Sequence, residues 1–243
     1  MCEMLAVHAG APGQTFTLGE ILPVAAEMDR LGIAGFGWGV AWHEPDTTHL
    51  HYYRSATPLR NDPASSDSAL LQVHTDAAIV HLRRPSKLST IGLDDAQPFY
   101  SERLGFAFAH NGDFVKHDTL RPRFQEQGLL QGRADTEVGF RLFEETLERK
   151  SGPKHAEHAL REVHQTLEGR ANLFALLADG SIAVLAEYED NWMFRCQLGA
   201  LDVIVTALYS WDRSVFNLIL NDAQNIRRIE VGTSTTLTFK SGV

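Results

Sequence analysis

The sequence predicts a layered α+β fold, and three features of its patterning predict it. Short apolar runs bounded by turn residues recur through residues 4–110, two amphipathic helical patterns follow one another between 135 and 168, and hairpin-like runs return from 172 onward. Strand groups that flank helix groups fit sheets packed against helices, two sheets between two helical layers being one such arrangement. The 243 residues, 44% hydrophobic and 22% charged, are enough to bury a sizeable core, and 2–243 reads as one domain.

Met4 to His8 is an apolar run suited to a buried strand, which puts Cys2 at the start of a strand. Thr17-Leu18-Gly19-Glu20 has the capping-box pattern, and Ile21, Val24, Ala25 and Met28 follow at helical spacing, so a helix is expected over about 18–31, with Gly32 as its stop. Gly35, Gly37 and Gly39 interleave with Phe36, Trp38 and Val40, the pattern of a strand approached closely by other backbone. His49 to Arg54 is its expected hairpin partner; Pro58 to Asp67 reads as loop and Ala77 to Leu82 as strand.

Phe106 to His110 reads as another strand, stopped by Asn111-Gly112. Asp135 or Thr136 can cap a helix that carries Val138, Leu142, Phe143 and Leu147 on one face. A second helix is expected over roughly 154–168, ending at Gly169. Asn172–Leu177, the Asp179-Gly180 turn and Ile182–Tyr188 form the clearest hairpin, with further strands expected at 192–198, 202–208 and 235–240.

Composition narrows the function classes. The formal net charge is −9, with 22 basic residues scattered among 31 acidic ones, which argues against a nucleic-acid partner held by phosphate neutralisation. Two cysteines, Cys2 and Cys196, supply no disulfide framework, and a reducing cytoplasm fits best. The first residues carry no basic segment, and no run of about 18 apolar residues occurs, so neither export nor a membrane span is expected.

Four places can carry chemistry. Removal of Met1 leaves Cys2 with a thiol and a free α-amine. A thiol near pKa 8.5 and an amine at about 7.7–8.0 are matched closely enough for the second to take the proton of the first. Val80-His81-Leu82-Arg83-Arg84-Pro85-Ser86 places guanidinium groups just after a buried strand, where a planar fork can take a carboxylate. His110-Asn111-Gly112-Asp113 offers a side-chain amide donor beside a glycine amide, a pair suited to an oxyanion. Arg133-Ala134-Asp135-Thr136-Glu137 puts a carboxylate at a helix start, where it can receive a substrate ammonium. Each has a plainer reading as packing residue, solvated face, turn or helix cap.

Taken in order, Cys2, Gly37-Trp38-Gly39, the stretch 81–86, Gln97-Pro98-Phe99, residues 110–114 and residues 134–137 resemble the signature series of class II glutamine amidotransferases, in particular the small free-standing type. The resemblance spans roughly the first 140 residues. It implies a four-layer αββα sandwich of the N-terminal-nucleophile hydrolase type and hydrolysis of a γ-glutamyl amide to glutamate and ammonia or an amine. It also implies Cys2 as nucleophile with its own α-amine as base, Asn111 and Gly112 as the oxyanion site, Arg83 on the substrate carboxylate and Asp135 on its ammonium. Trp38, His81 and His110 are expected to shape the pocket. The chain departs from the family at Arg84-Pro85, which leaves Arg84 as the alternative carboxylate ligand, and at Gln97, where histidine is common.

No cofactor is implied. The expected partners are glutamine or another γ-glutamyl compound and an ammonia-accepting synthase subunit. Two other classes compete: a catalytically idle binding subunit of the same fold, and a metal-dependent hydrolase using His43, His49, His51 and His74, although no His-Glu-x-x-His or paired-cysteine spacing accompanies those histidines.

Overall fold

The computed structural model describes residues 2–31, 34–150, 152–206 and 219–239. In chain order the elements are β1 (Glu3–His8), β2 (Phe16–Thr17), α1 (Leu18–Leu31), β3 (Trp38–His43), β4 (Leu50–Ser55), α2 (Ser68–Leu71), β5 (His74–Thr75), β6 (Ala77–Leu82), β7 (Phe99–Ser101), β8 (Phe106–Phe114), α3 (His117–Glu126), α4 (Asp135–Arg149), α5 (Ala156–Leu167), β9 (Gly169–Leu177), β10 (Ile182–Glu187), β11 (Met193–Leu198), β12 (Leu201–Thr206), β13 (Ala223–Ile229) and β14 (Thr233–Leu237). A seven-stranded sheet has the order β13-β11-β12-β1-β6-β3-β4, and a five-stranded sheet the order β14-β10-β9-β8-β7.

Strand periodicity sorts the apolar side chains into three layers of contact. Leu5, Val7, Val40 and Val80 point from the larger sheet to Leu18, Ile21, Ala25 and Met28 of α1. Met4, Ala6 and Ile79 point the other way, against Ala107, Ala109, Phe174 and Val184 of the smaller sheet. The outer face of that second sheet, with Phe106, Phe108 and Leu173, buries Phe140, Phe143 and Leu147 of α4 and Leu160 and Val163 of α5. The architecture is therefore the four-layer αββα sandwich. Its central strand β1 is buried on both faces along its whole length, which explains the unbroken apolar run after Glu3.

Local chemistry explains the elements. Glu20 Oε1 accepts the Thr17 amide N–H at 2.7 Å, so α1 starts where its capping signal lies; Gly32, its expected stop, lies outside the described residues, as do 207–208 and 240 of the expected last strands. α4 begins at Asp135 itself, with Ala134 at the cap position, and Leu142 is only half-buried while Phe140 shares the core face. The segment 58–67 is not plain loop. Asp62 organises it into two short 3₁₀ turns, Leu59–Asn61 and Pro63–Ser66, and its carboxylate accepts the Ala64 amide.

The largest correction concerns Asn111-Gly112. These residues do not stop the strand: β8 continues to Phe114, with Asn111 opposite Asn172 and Gly112 opposite Ala171. Gly112 has φ +143, and a Cβ there would lie 1.7 Å from the Arg170 carbonyl oxygen, so glycine is the residue that lets β9 pass.

Candidate active site

The site is built where β1, β6 and β8 present their ends on the cleft between the two sheets. Cys2 stands just before β1, and the chain leaving β6 runs past it. Cys2 Sγ accepts the Arg84 amide N–H at 3.3 Å, and its S–H donates to the Arg84 carbonyl at 3.5 Å. Arg83 is held in place by its backbone. Its N–H donates to the Gly37 carbonyl at 2.9 Å, and its carbonyl accepts the Gly35 and Phe36 amides, both at 3.2 Å. Gly37 (φ +122) has no room for a Cβ, which would lie 2.6 Å from the Ser55 oxygen, so the glycine-rich stretch serves to clamp Arg83.

Arg83 is buried, its Nη1 has no partner, and burial pulls its pKa down from the ordinary arginine value. A guanidinium left partly unpaired beside a cleft has a strong energetic need for an anion. The Cys2 thiol is pushed up by burial, opposed by the Arg84 amide and the nearby Arg83 charge. With Met1 attached, the sulfur is therefore mostly in the thiol form at neutral pH.

From the second sheet comes Asn111, 0% exposed, with neither Nδ2 nor Oδ1 hydrogen-bonded. Asn111 lines the cleft next to Gly112. Asp135 is oriented by backbone: Oδ2 accepts the Phe114 amide at 2.7 Å and Oδ1 the Thr136 amide at 2.9 Å, which leaves lone pairs for a third donor. The approach to α4 is fixed by two more carboxylates. Asp95 Oδ1 accepts the Arg133 and Ala134 amides, both at 2.6 Å, and Glu137 accepts those of Gln131 and Gly132 at 2.8 and 2.9 Å.

Cys2, Arg83, His110, Asn111, Gly112 and Asp135 line a single cleft of about 820 Å³, within the size range of small-molecule sites. Trp38 and His81 do not reach its wall. The Trp38 indole lies in the layer facing α1 and donates Nε1–H to Asp62 at 2.9 Å. His81 lies between the sheets, its pKa pushed down to about 3 by burial and the Arg83 charge, so the ring is neutral and its Nε2 meets the His110 carbonyl at 3.2 Å. His110 touches the cleft but is committed to packing. Its ring stacks on Phe114 with centroids 4.1 Å apart, and its Nδ1 meets Thr136 Oγ1 at 3.0 Å.

Gln97, which departs from the family pattern, ties these parts together. Its Oε1 accepts the His110 amide at 2.7 Å and its Nε2 donates to Thr136 Oγ1 at 3.1 Å. Its carbonyl oxygen would lie 2.4 Å from a Cβ at position 39, which is why Gly39 is needed there. Sequence reasoning missed Tyr188 and Arg170 on the cleft, and Asn172 and Asn191 behind Cys2. The only sequence signal for the last pair was that asparagines in or next to strands are scarce. Among the described residues no group of three or more His, Cys, Asp or Glu side chains is placed to hold a metal ion, and no helix is long and apolar enough to cross a membrane.

A family model described as class II glutamine amidotransferases matches residues 1–197. The chain belongs to this family. Solved structures agree on the fold. The allosteric regulatory enzyme of purine biosynthesis is 18% identical, with TM-score 0.72, over 97% of this chain and 46% of its own. Glutamine phosphoribosylpyrophosphate amidotransferase from B. subtilis is 16% identical, with TM-score 0.70, over 100% and 50%. A glutamine aminotransferase class-II domain protein from Silicibacter pomeroyi is 17% identical, with TM-score 0.62, over 97% and 94%. The chain thus spans about half the length of the first two and nearly the whole of the third. No curated protein matches this sequence.

Proposed function

We propose that this amidotransferase hydrolyses a γ-glutamyl amide with Cys2 as nucleophile, acting after Met1 is removed. The α-amine released at Cys2 takes the thiol proton, and the thiolate attacks the side-chain carbonyl of the substrate. Asn111 Nδ2 and the Gly112 amide carry the oxyanion, and the α-ammonium returns the proton to the departing nitrogen. Water then releases glutamate from the γ-glutamyl thioester. Arg83 receives the substrate α-carboxylate and Asp135 its α-ammonium.

The observation that carries this reading is the buried, wholly unpartnered carboxamide of Asn111 on the same cleft as Cys2. Native proteins rarely leave both ends of a buried amide unpaired, and a ligand oxygen that arrives with negative charge satisfies the donor end. Glutamine is the first substrate to test, with larger γ-glutamyl compounds as the alternative that the cleft volume also admits. We take 2–243 as one catalytic domain in the cytoplasm, which passes ammonia to water or to a separate synthase subunit.

The test is release of glutamate from glutamine and from γ-glutamyl amides by the wild type, Cys2→Ala and Arg83→Ala. Cys2→Ala is expected to abolish release, and Arg83→Ala to raise KM more than it lowers kcat. Undiminished release by Cys2→Ala contradicts the reading. Binding of glutamine without release by the wild type favours an idle binding subunit.

A further inference from the structure

Behind Cys2, on the side away from the cleft residues, lies a buried polar corner that the chemistry above does not use. Glu3 is 1% exposed, yet among the described residues no Lys or Arg side chain hydrogen-bonds its carboxylate. Its partners are neutral: Thr206 Oγ1 donates to Oε2 at 2.7 Å, and Asn191 Nδ2 to Oε1 at 3.4 Å. Burial pushes its pKa up to about 8, against the hydrogen bond from Thr206, the positive charge of the chain's N-terminus and the hydrogen bond from Asn191. A buried carboxyl with only neutral donors is an expensive arrangement unless a cation completes it.

Asn191 shows the complementary deficit. It is fully buried; its Nδ2 also reaches the Cys2 carbonyl at 3.5 Å, while its Oδ1 has no donor. Both neighbours of Nδ2 are acceptors, so the carboxamide cannot be turned over without opposing oxygen to oxygen. The turn that carries Asn191 is pinned from the second sheet, where Asn172 Nδ2 donates to the Asn191 carbonyl at 2.6 Å. Asn172 is the register partner of Asn111, so one rung of the β8–β9 ladder carries both the oxyanion donor and the anchor for Asn191.

An acceptor without a donor and a carboxyl held only by neutral hydrogen-bond donors therefore lie next to the Cys2 backbone, where Asn191 Nδ2 bridges the Glu3 carboxyl and the Cys2 carbonyl. In the chain that retains Met1 the Cys2 nitrogen is a peptide amide; removal of Met1 turns it into an amine that supplies both donor and positive charge. We propose that Glu3 and Asn191 form the cradle of the Cys2 α-amine, Asn191 Oδ1 and the Glu3 carboxylate accepting its N–H groups and so setting its proton affinity. The proposal rests on the N-terminal-nucleophile reading of Cys2. Both are positioning residues: when the thiol proton moves from Sγ to the amine, the resulting ammonium is held by Glu3 until it passes the proton to the leaving nitrogen.

Among the described residues the other titratable or charged groups around this corner are the Cys2 thiol itself, His81 and Arg83, at and just after the end of β6, and Tyr188 after β10. His81 is neutral throughout the accessible pH range, and Arg83 keeps its charge, so neither moves in a titration between pH 5 and 10.

Cysteine-selective 13C,15N labelling gives two labelled residues, Cys2 and Cys196. In a chain released by a site-specific protease to begin at Cys2, the Cys2 15N shift, on the titrating atom itself, reports the amine as pH is varied, and the Cys2 Cβ shift follows the thiol. Glu3→Gln is expected to lower the amine pKa by about one unit, since loss of a facing anion disfavours the ammonium. Asn191→Leu is expected to lower it as well, and Asn191→Asp to raise it. The Cys196 signal monitors folding. Titrations of Glu3→Gln and Asn191→Asp that both superimpose on the wild type overturn the cradle. The parent reading has its own readout in a γ-glutamyl chloroketone. An adduct on Cys2 with an unresponsive amine overturns the cradle alone, and a responsive amine with no adduct supports the cradle while the nucleophile reading fails.

Discussion

Replacing Asn111 by leucine separates a catalytic carboxamide from a structural one. The side chain is 0% exposed and neither of its polar atoms is paired, so the folded protein carries their desolvation cost without compensation. Each such group is worth about 1–3 kcal/mol, and a leucine of similar size removes both without opening a large cavity. For a chain of this length each kcal/mol corresponds to roughly 2–4 °C in Tm. Thermal unfolding followed by circular dichroism is therefore expected to show an unchanged or raised Tm, by a few degrees. Glutamate release is expected to fall by about 10²–10³ in kcat, the loss that follows removal of one oxyanion donor. A variant that is clearly less stable but fully active refutes the reasoning, because Asn111 would then be a packing residue.

Other outcomes follow from the same structure. Gly112→Ala places a Cβ 1.7 Å from the Arg170 oxygen at φ +143, so it is expected to cost at least ~3 kcal/mol and to drop Tm by roughly 10 °C. Phe143→Ala, in the α4 layer remote from Cys2, is expected to cost about 3–5 kcal/mol in urea unfolding while leaving kcat unchanged below its Tm. Glu3 gives a stability signature in the chain that keeps Met1. Its folded pKa of about 8 stands above its ordinary 4.5, so its contribution is complete below pH 4.5 and is lost as pH rises through about 8. The difference, 8 − 4.5, sets an upper bound of about 5 kcal/mol, and urea titrations at pH 5 and pH 9 are expected to show a fall that Glu3→Gln abolishes.

Much of the fold follows from period and punctuation. β6 and α1 fall where strand-like and helical spacing place them, because each buries side chains with a regular period. α3 escaped notice because it buries only Phe124 and contains Pro122, so it has neither an apolar stripe nor an uninterrupted helical composition. β13 escaped for a related reason: it is an exposed edge strand of polar residues, held by pairing with β11 rather than by a buried face. The Asn111-Gly112 pair was misread as a turn because the local signal for a type I′ hairpin is the same whether or not a neighbouring strand needs the glycine for clearance.

The candidate site was visible as a set of motifs rather than as geometry. Arg83, Asn111 and Asp135 lie in segments whose residue types suggest their chemistry, and the fold brings them to one cleft with Cys2. Trp38 was drawn into the pocket by its flanking glycines. Those glycines instead clamp Arg83 and admit Gln97, while the indole faces the opposite layer. Asn191 and Glu3 had no sequence signature, since their proximity depends on a turn 188 residues away from Glu3 folding back onto β1.

The central claim is that processed Cys2 is a nucleophile in a pocket shaped for a γ-glutamyl zwitterion. Intact mass before and after incubation with a γ-glutamyl chloroketone analogue of glutamine tests it most directly, because Cys196 is buried with its thiol pushed up to about 11 and is a poor competitor for the reagent. The account predicts loss of Met1 and a single adduct, mapped to Cys2 and suppressed by excess glutamine. Retained Met1, or a processed chain that gains no mass, contradicts it.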